Sequence, residues 1–193
     1  MKTNIRQLHG NWNLGYALDK HVLKSFYVGD NEYGRPQFDT TRSEVGEALF
    51  QLKYRSDWSQ VEPLARELAS SIFPNFSHVG LLIPMPASTQ RARQPVTELT
   101  NALGQIVGKP VFDNILIKSS THQQLKNLNT KEEKVNALQG CFSINDGIKN
   151  EGAWDALIVD DLFDTGASLE QACAALRGYK KVKNVYVATL TWK

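Results

Sequence analysis

The chain has 193 residues, 41% of them hydrophobic and 22% charged, with a formal net charge of +2; this is enough material to bury a core without staples, and it excludes disorder and a strongly electrostatic nucleic-acid or membrane binder. Cys141 and Cys173 lack a CxxC spacing, which excludes a zinc ribbon or a secreted disulfide framework and makes the cytoplasm the expected compartment. The opening "MKTNIRQLHGNWNLG" lacks a signal-peptide core, and no run approaches the ~20 apolar residues of a membrane span, so a soluble protein with no membrane partner is expected.

In chain order, the first 40 residues, including "GYALDKHVLKSFYVGDNEYGRPQFDT", read as an irregular, hairpin-rich cap. "TRSEVGEALFQLKY" places Thr41 and Glu44 in capping-box spacing and Val45, Ala48, Leu49 and Leu52 on one stripe, which predicts an amphipathic helix. "VEPLARELASSI" predicts a second, with Pro63 in the first turn and Pro74 beyond its end. Short apolar runs then alternate with helices: a strand at 79–83, a helix over about 91–107 stopped by Gly108 and Pro110, a strand "VFDNILI" at 111–117, and a polar stretch from Lys118 to about Lys131. A helix at 132–138, a strand "CFSI" at 141–144, the strand "ALIV", a helix carrying Leu169, Ala172, Cys173 and Leu176, and a last strand "VYVATL" complete the series.

This alternation predicts a single α/β domain over 1–193, with a mostly parallel central sheet covered by helices on both faces. No repeat or linker interrupts it. Ligands of open α/β sheets bind beyond the carboxyl ends of the strands, which singles out the segments after residues 83, 117 and 159. His9, His21, His78 and His122 are far apart and read as structural or surface residues, so no metal site is expected from the protein alone.

The third of those segments is the most specific. In "ALIVDDLFDTGASLEQ" two carboxylates, Asp160 and Asp161, come directly after the apolar strand, and Asp164, Thr165, Gly166, Ala167 and Ser168 cross into a helix start. Free N–H groups and the helix dipole make such a start an anion seat, while paired carboxylates accept hydrogen bonds from vicinal hydroxyls. A ligand carrying both a diol and a phosphate, a sugar phosphate, reconciles the two halves. A helix cap at Asp164 is the plain structural alternative. A haloacid-dehalogenase-like nucleophile strand is the other, and the short chain left after Asp161 argues against it.

"ALIVDDLFDTGAS" resembles the signature that binds phosphoribosyl pyrophosphate (PRPP) in type I phosphoribosyltransferases, although Phe163 is bulkier than the usual aliphatic residue. The resemblance implies that Asp160 and Asp161 hold the ribose hydroxyls, that 164–168 hold the 5-phosphate, and that Mg²⁺ accompanies PRPP, with Asp160 and Asp161 as its only protein contacts. It further implies a pyrophosphate site at Pro86, Ala87, Ser88 and Arg91, with Arg93 nearby, and a flexible loop with Lys118, Thr121 and Gln124. Within that family the chain resembles ComF-type proteins from "EALFQLKYRSD" onward, best at Pro84, Pro86 and Arg91, while Ala92, Arg93, Gln94 and Pro95 depart from the pattern and the amino-terminal cysteine cluster of many members is missing. The activity implied by the resemblance is that of a phosphoribosyltransferase displacing pyrophosphate from PRPP toward an unknown acceptor. The alternative is a non-catalytic PRPP sensor or a single-stranded-DNA-binding protein of DNA uptake or processing, using Lys118, Lys126, Lys131, Lys134, Lys180, Lys181 and Lys183. Trp12, Tyr16, His21 and Tyr27 are expected in the hood over the acceptor, and a homodimer is a further expectation.

Overall fold

The computed structural model describes residues 1–89, 91–119, 128 and 130–193. In chain order its main elements are β1 (Arg6–Gln7), β2 (Leu14–Lys20), β3 (Val22–Asp30), β4 (Pro36–Arg42), α1 (Glu44–Tyr54), α2 (Val61–Ser71), β5 (Leu81–Pro84) and α3 (Pro95–Val107). They continue with β6 (Leu116–Lys118), α4 (Lys131–Leu138), β7 (Phe142–Ile144), β8 (Trp154–Phe163), α5 (Ala167–Arg177) and β9 (Val182–Trp192). The main sheet has the order β1-β2-β9-β8-β5, antiparallel only between β1 and β2. This is the expected α/β architecture with a mostly parallel sheet.

Near-continuous apolar strands suit a sheet buried on both faces. Leu157 and Val159 of β8, with Ala188 and Leu190 of β9, face a core built with α1, α2 and α3. Ala156 and Ile158, with Val185 and Val187, face the opposite core, closed by Leu169, Ala172, Cys173 and Leu176 of α5. Each Val, Leu or Ile side chain among these contributes about 1.5–3 kcal/mol on leaving water, so the two layers hold the sheet and the strand ends with it.

Five elements differ from the sequence reading, each for a local reason. The strand expected to end at Val159 runs on through Asp160 and Asp161 to Phe163, because β8 stays paired with β9 as far as Trp192. Leu14–Lys20, expected in the cap, is a strand of the main sheet, because Ala17 and Leu18 are fully buried where β2 runs parallel to β9. Residues 22–42 form a separate antiparallel hairpin that exposes Phe26, Tyr27, Val28 and Phe38. The α1 cap is Ser43, whose Oγ accepts from Gly46 N–H at 3.0 Å; Thr41 is still paired with Lys24 in the hairpin. α3 starts at Pro95 and not at 91, since proline suits a first helical position and holds Gln94 before it extended. "VFDNILI" is split by a turn at Asp113 and Asn114: Val111 makes one parallel bridge to Leu82, whereas Leu116–Lys118 pairs with β7 in a separate two-stranded sheet.

Candidate functional site

The carboxyl ends of β5 and β8 open onto one cleft of about 420 Å³. Its lining joins Asp160, Asp161 and the whole 164–168 turn to Pro86, Ala87, Ser88 and Arg91, and adds Lys118 from β6. The candidates from three separate segments therefore meet at one place. Arg93 is not among the lining residues: its guanidinium lies 4.1 Å from the Trp58 ring centroid and donates to Glu98 at 2.9 Å. Thr121 and Gln124 lie outside the described residues.

The acidic pair is the floor of the cleft. Asp160 Oδ1 accepts the Asp161 N–H at 2.8 Å, and Asp161 Oδ2 accepts from the Lys53 ammonium. That leaves Asp160 Oδ2 and Asp161 Oδ1 without a protein partner among the described residues, one acceptor on each carboxylate for one hydroxyl of a diol. Burial first, and then the neighbouring Asp161 carboxylate, pushes Asp160 up to about 7.

Beside it, the chain leaves β8 through Asp164, Thr165 and Gly166 and enters α5 at Ala167. Gly166 has φ +83°, and a Cβ there would stand 3.0 Å from the Phe163 ring. Only glycine adopts this conformation without cost, and the turn brings Ala167, Ser168 and Leu169, the first residues of α5, into the lining of the cleft, with the Ala167 N–H donating to Thr165 Oγ1 at 3.5 Å. The Asp164 carboxylate is not a bare charge. Lys134 donates to it at 2.7 Å and Lys193 approaches to 3.8 Å.

The opposite wall is held by side chains. Lys118 donates to Ser88 Oγ at 2.7 Å, and Arg91 donates to the Lys53 carbonyl at 3.1 Å. Burial lowers the pKa of Lys118, with the Asp160 charge opposing it.

Lys53 escaped the sequence reading, yet the signal is there: Val45, Leu49 and Lys53 follow one another at four-residue steps, so a charge sits on the buried stripe of α1. Gly46 brings that helix close, since a Cβ would meet the His21 carbonyl at 2.2 Å. The four residues expected in a hood are dispersed. Trp12 packs edge-on against Phe163 on the α5 face, Tyr16 meets Phe76 on the other, and Tyr27 is exposed on the hairpin. His21 sits beside α1, its pKa lowered by burial and then by Arg42 and Lys53.

Oxygen donors such as Asp160 and Asp161 suit Mg²⁺. The Lys53 ammonium, however, already holds Asp161, and no group of three or more His, Cys, Asp or Glu side chains among the described residues could hold a metal ion. The donor set does not fit a protein-held Mg²⁺. The lysines considered for nucleic acid are largely engaged: Lys118 with Ser88, Lys131 with Glu170, Lys134 with Asp164, and buried Lys181 with the Asn150 carbonyl. Lys180 and Lys183 are exposed, and Lys126 lies outside the described residues. No helix among the described residues is long and apolar enough to cross a membrane.

No family model and no curated protein matches the chain. Solved structures do. The adenine phosphoribosyltransferase of Trypanosoma brucei, solved with AMP, pyrophosphate and ribose-5-phosphate, matches 98% of this chain and 75% of its own length at 11% identity and a TM-score of 0.51. UMP synthase of Leishmania donovani matches 88% of this chain at 13% identity and TM-score 0.45, and a hypoxanthine phosphoribosyltransferase of Staphylococcus aureus 69% at 17% and 0.44. The chain spans 29% of the length of the former and 63% of the latter. The fold is thus that of type I phosphoribosyltransferases.

Proposed function

We propose that the cleft binds PRPP and that the protein is a phosphoribosyltransferase-like protein of the ComF type. The observation that carries this reading is the convergence of the Asp160–Asp161 pair, with one free oxygen on each carboxylate, and the α5 amino terminus on one cleft. The free oxygens accept the ribose hydroxyls, and the N–H groups of the 164–168 turn receive the 5-phosphate. Ser88, Arg91 and Lys118 then face the diphosphate on C1. The ComF assignment rests on the motif, on "EALFQLKYRSD" and on Pro84, Pro86 and Arg91.

Transfer in such a site breaks the C1–O bond to pyrophosphate and forms a bond from C1 to the incoming nucleophile. Arg91 and Lys118 stabilise the charge that gathers on the leaving group, and the diol contacts fix the sugar for in-line attack. The chain contributes position and charge. With four of the six described candidate lysines engaged, no observation among the described residues favours the single-stranded-DNA reading.

Thermal denaturation with and without PRPP tests the assignment. A ligand that binds only the folded state raises the melting temperature, by about 2.7 kcal/mol of stability at a hundredfold excess over Kd. Asp160→Asn combined with Asp161→Asn removes most of that shift. A double variant that responds like the parent would end the ribose assignment.

A further inference from the structure

The acidic pair carries its own cation. We propose that Lys53 is the resident counter-ion of Asp160 and Asp161, holding by its ammonium the position a divalent ion would take at Asp161, so that the cleft receives a sugar diol with no metal bound by the protein. The inference deepens the sugar-phosphate reading, and its test uses no sugar phosphate.

The contact is not that of a surface lysine. A lysine on a helix surface lays its stem on apolar neighbours and keeps its head in water. Here the side chains of Lys53 and Asp161 are only 25% and 16% exposed, and the ammonium donates straight to the carboxylate. Burial works against the charge on Lys53, but Asp161, aided by Tyr54 and Asp160, more than offsets it and its pKa is raised. The backbone that carries Lys53 is fixed at both ends of α1, by Gly46 against the His21 carbonyl and by the Lys53 carbonyl accepting from Arg91. The ammonium is therefore delivered by a seated helix, and the helix also touches the residue assigned to the leaving group.

The geometry has two consequences. Lys53 commits Asp161 Oδ2 and leaves Oδ1 free, just as the Asp161 N–H commits Asp160 Oδ1 and leaves Oδ2 free, so the pair presents two acceptors and not a four-oxygen cage. A divalent ion approaching the same carboxylate meets a positive charge within hydrogen-bond distance. Mg²⁺ then belongs to the ligand's diphosphate and not to the protein. Lys53 is a positioning residue.

Mn²⁺ alone, followed by its electron paramagnetic resonance signal, is the probe. The parent protein should leave Mn²⁺ free at concentrations where Lys53→Met binds it at least about tenfold more tightly, because removing one adjacent positive charge opens the pair. Lys53→Arg should exclude the ion like the parent, and adding Asp161→Asn to Lys53→Met should abolish the gain. Tight binding by the parent that is lost in Asp161→Asn, or no gain in a folded Lys53→Met, would overturn the proposal. Should Lys53→Met fail to fold, Lys53→Gln takes its place with the same expected gain. Failure of PRPP to bind sinks the functional reading without touching this result.

Discussion

The loops after β8 and β5 both lead from a buried parallel strand to a helix, yet they offer a ligand different kinds of donor. After β8 only residues 164–166 intervene before α5, and Gly166 turns the chain so that the first residues of α5 line the cleft. After β5 the path runs through 85–94, and α3 then opens on a proline, which has no N–H to give. Among the described residues, the side-chain donors on this side include Ser88, Arg91 and Lys118. One loop is preformed and indifferent to side chains but intolerant of a Cβ; the other depends on long side chains that reach inward.

The sharpest way to break that contrast is Gly166→Val. A β-branched residue at φ +83° is strained by about 1–3 kcal/mol, and its Cβ collides with Phe163. The expected outcome is a lower melting temperature and no response to ribose 5-phosphate or PRPP. Gly166→Ala together with Phe163→Leu, which relieves the collision but not the backbone strain, should recover part of the response. An undiminished response of Gly166→Val to both ligands would show that the turn is not a phosphate seat.

Arg91→Ala probes the opposite loop with the next largest effect. Losing a charge-assisted contact should weaken PRPP about tenfold while leaving ribose 5-phosphate nearly unchanged. Calorimetric titration of both ligands reads the difference directly. Equal weakening of the two would mean that Arg91 acts by propping α1 through the Lys53 carbonyl and not by meeting pyrophosphate.

This contrast also explains which parts were legible in the sequence. The 160–168 motif could be read because its chemistry lies within one strand-turn-helix, where spacing along the chain is spacing in space. The parallel sheet was legible from the apolar runs, but β2 was not, because a strand holding Gly15, Asp19 and Lys20 lacks their uniformity and its burial comes from pairing with β9, at the other end of the chain. Lys53 was missed for the same reason: its partner is more than a hundred residues away, and only the odd charge on the α1 stripe betrays it.

The raised pKa of Asp160 supplies a pH test of the floor of the cleft. Its ordinary value of 3.8 rises to about 7 in the folded chain, so the folded state binds the proton more tightly than the unfolded one. The associated stability is present below the ordinary value and is lost as pH climbs through about 7. Asp160→Asn should therefore raise the melting temperature at pH 8 relative to the parent, by about 2–4 °C for each kcal/mol, and should leave it little changed at pH 4. An unaltered difference across that range would place the strain elsewhere.

The smallest effect belongs to Lys134, whose ammonium donates to Asp164 at the rim of the seat. Its partner is 41% exposed, so the pair itself should contribute no more than about 1 kcal/mol, and Lys134→Ala should lower the melting temperature only slightly. Ligand binding is the better gauge. With Lys134 gone, Asp164 is left as a less compensated negative charge beside a phosphate, and affinity for ribose 5-phosphate should fall by about threefold to tenfold at low salt, less at high salt. If the backbone N–H groups are the true donors, adding Asp164→Asn should restore most of that loss, because it removes the repulsion without adding a contact. A double variant that stays as weak as Lys134→Ala would mean that the lysine itself touches the phosphate, and that the seat after β8 is less purely a backbone device than its turn implies.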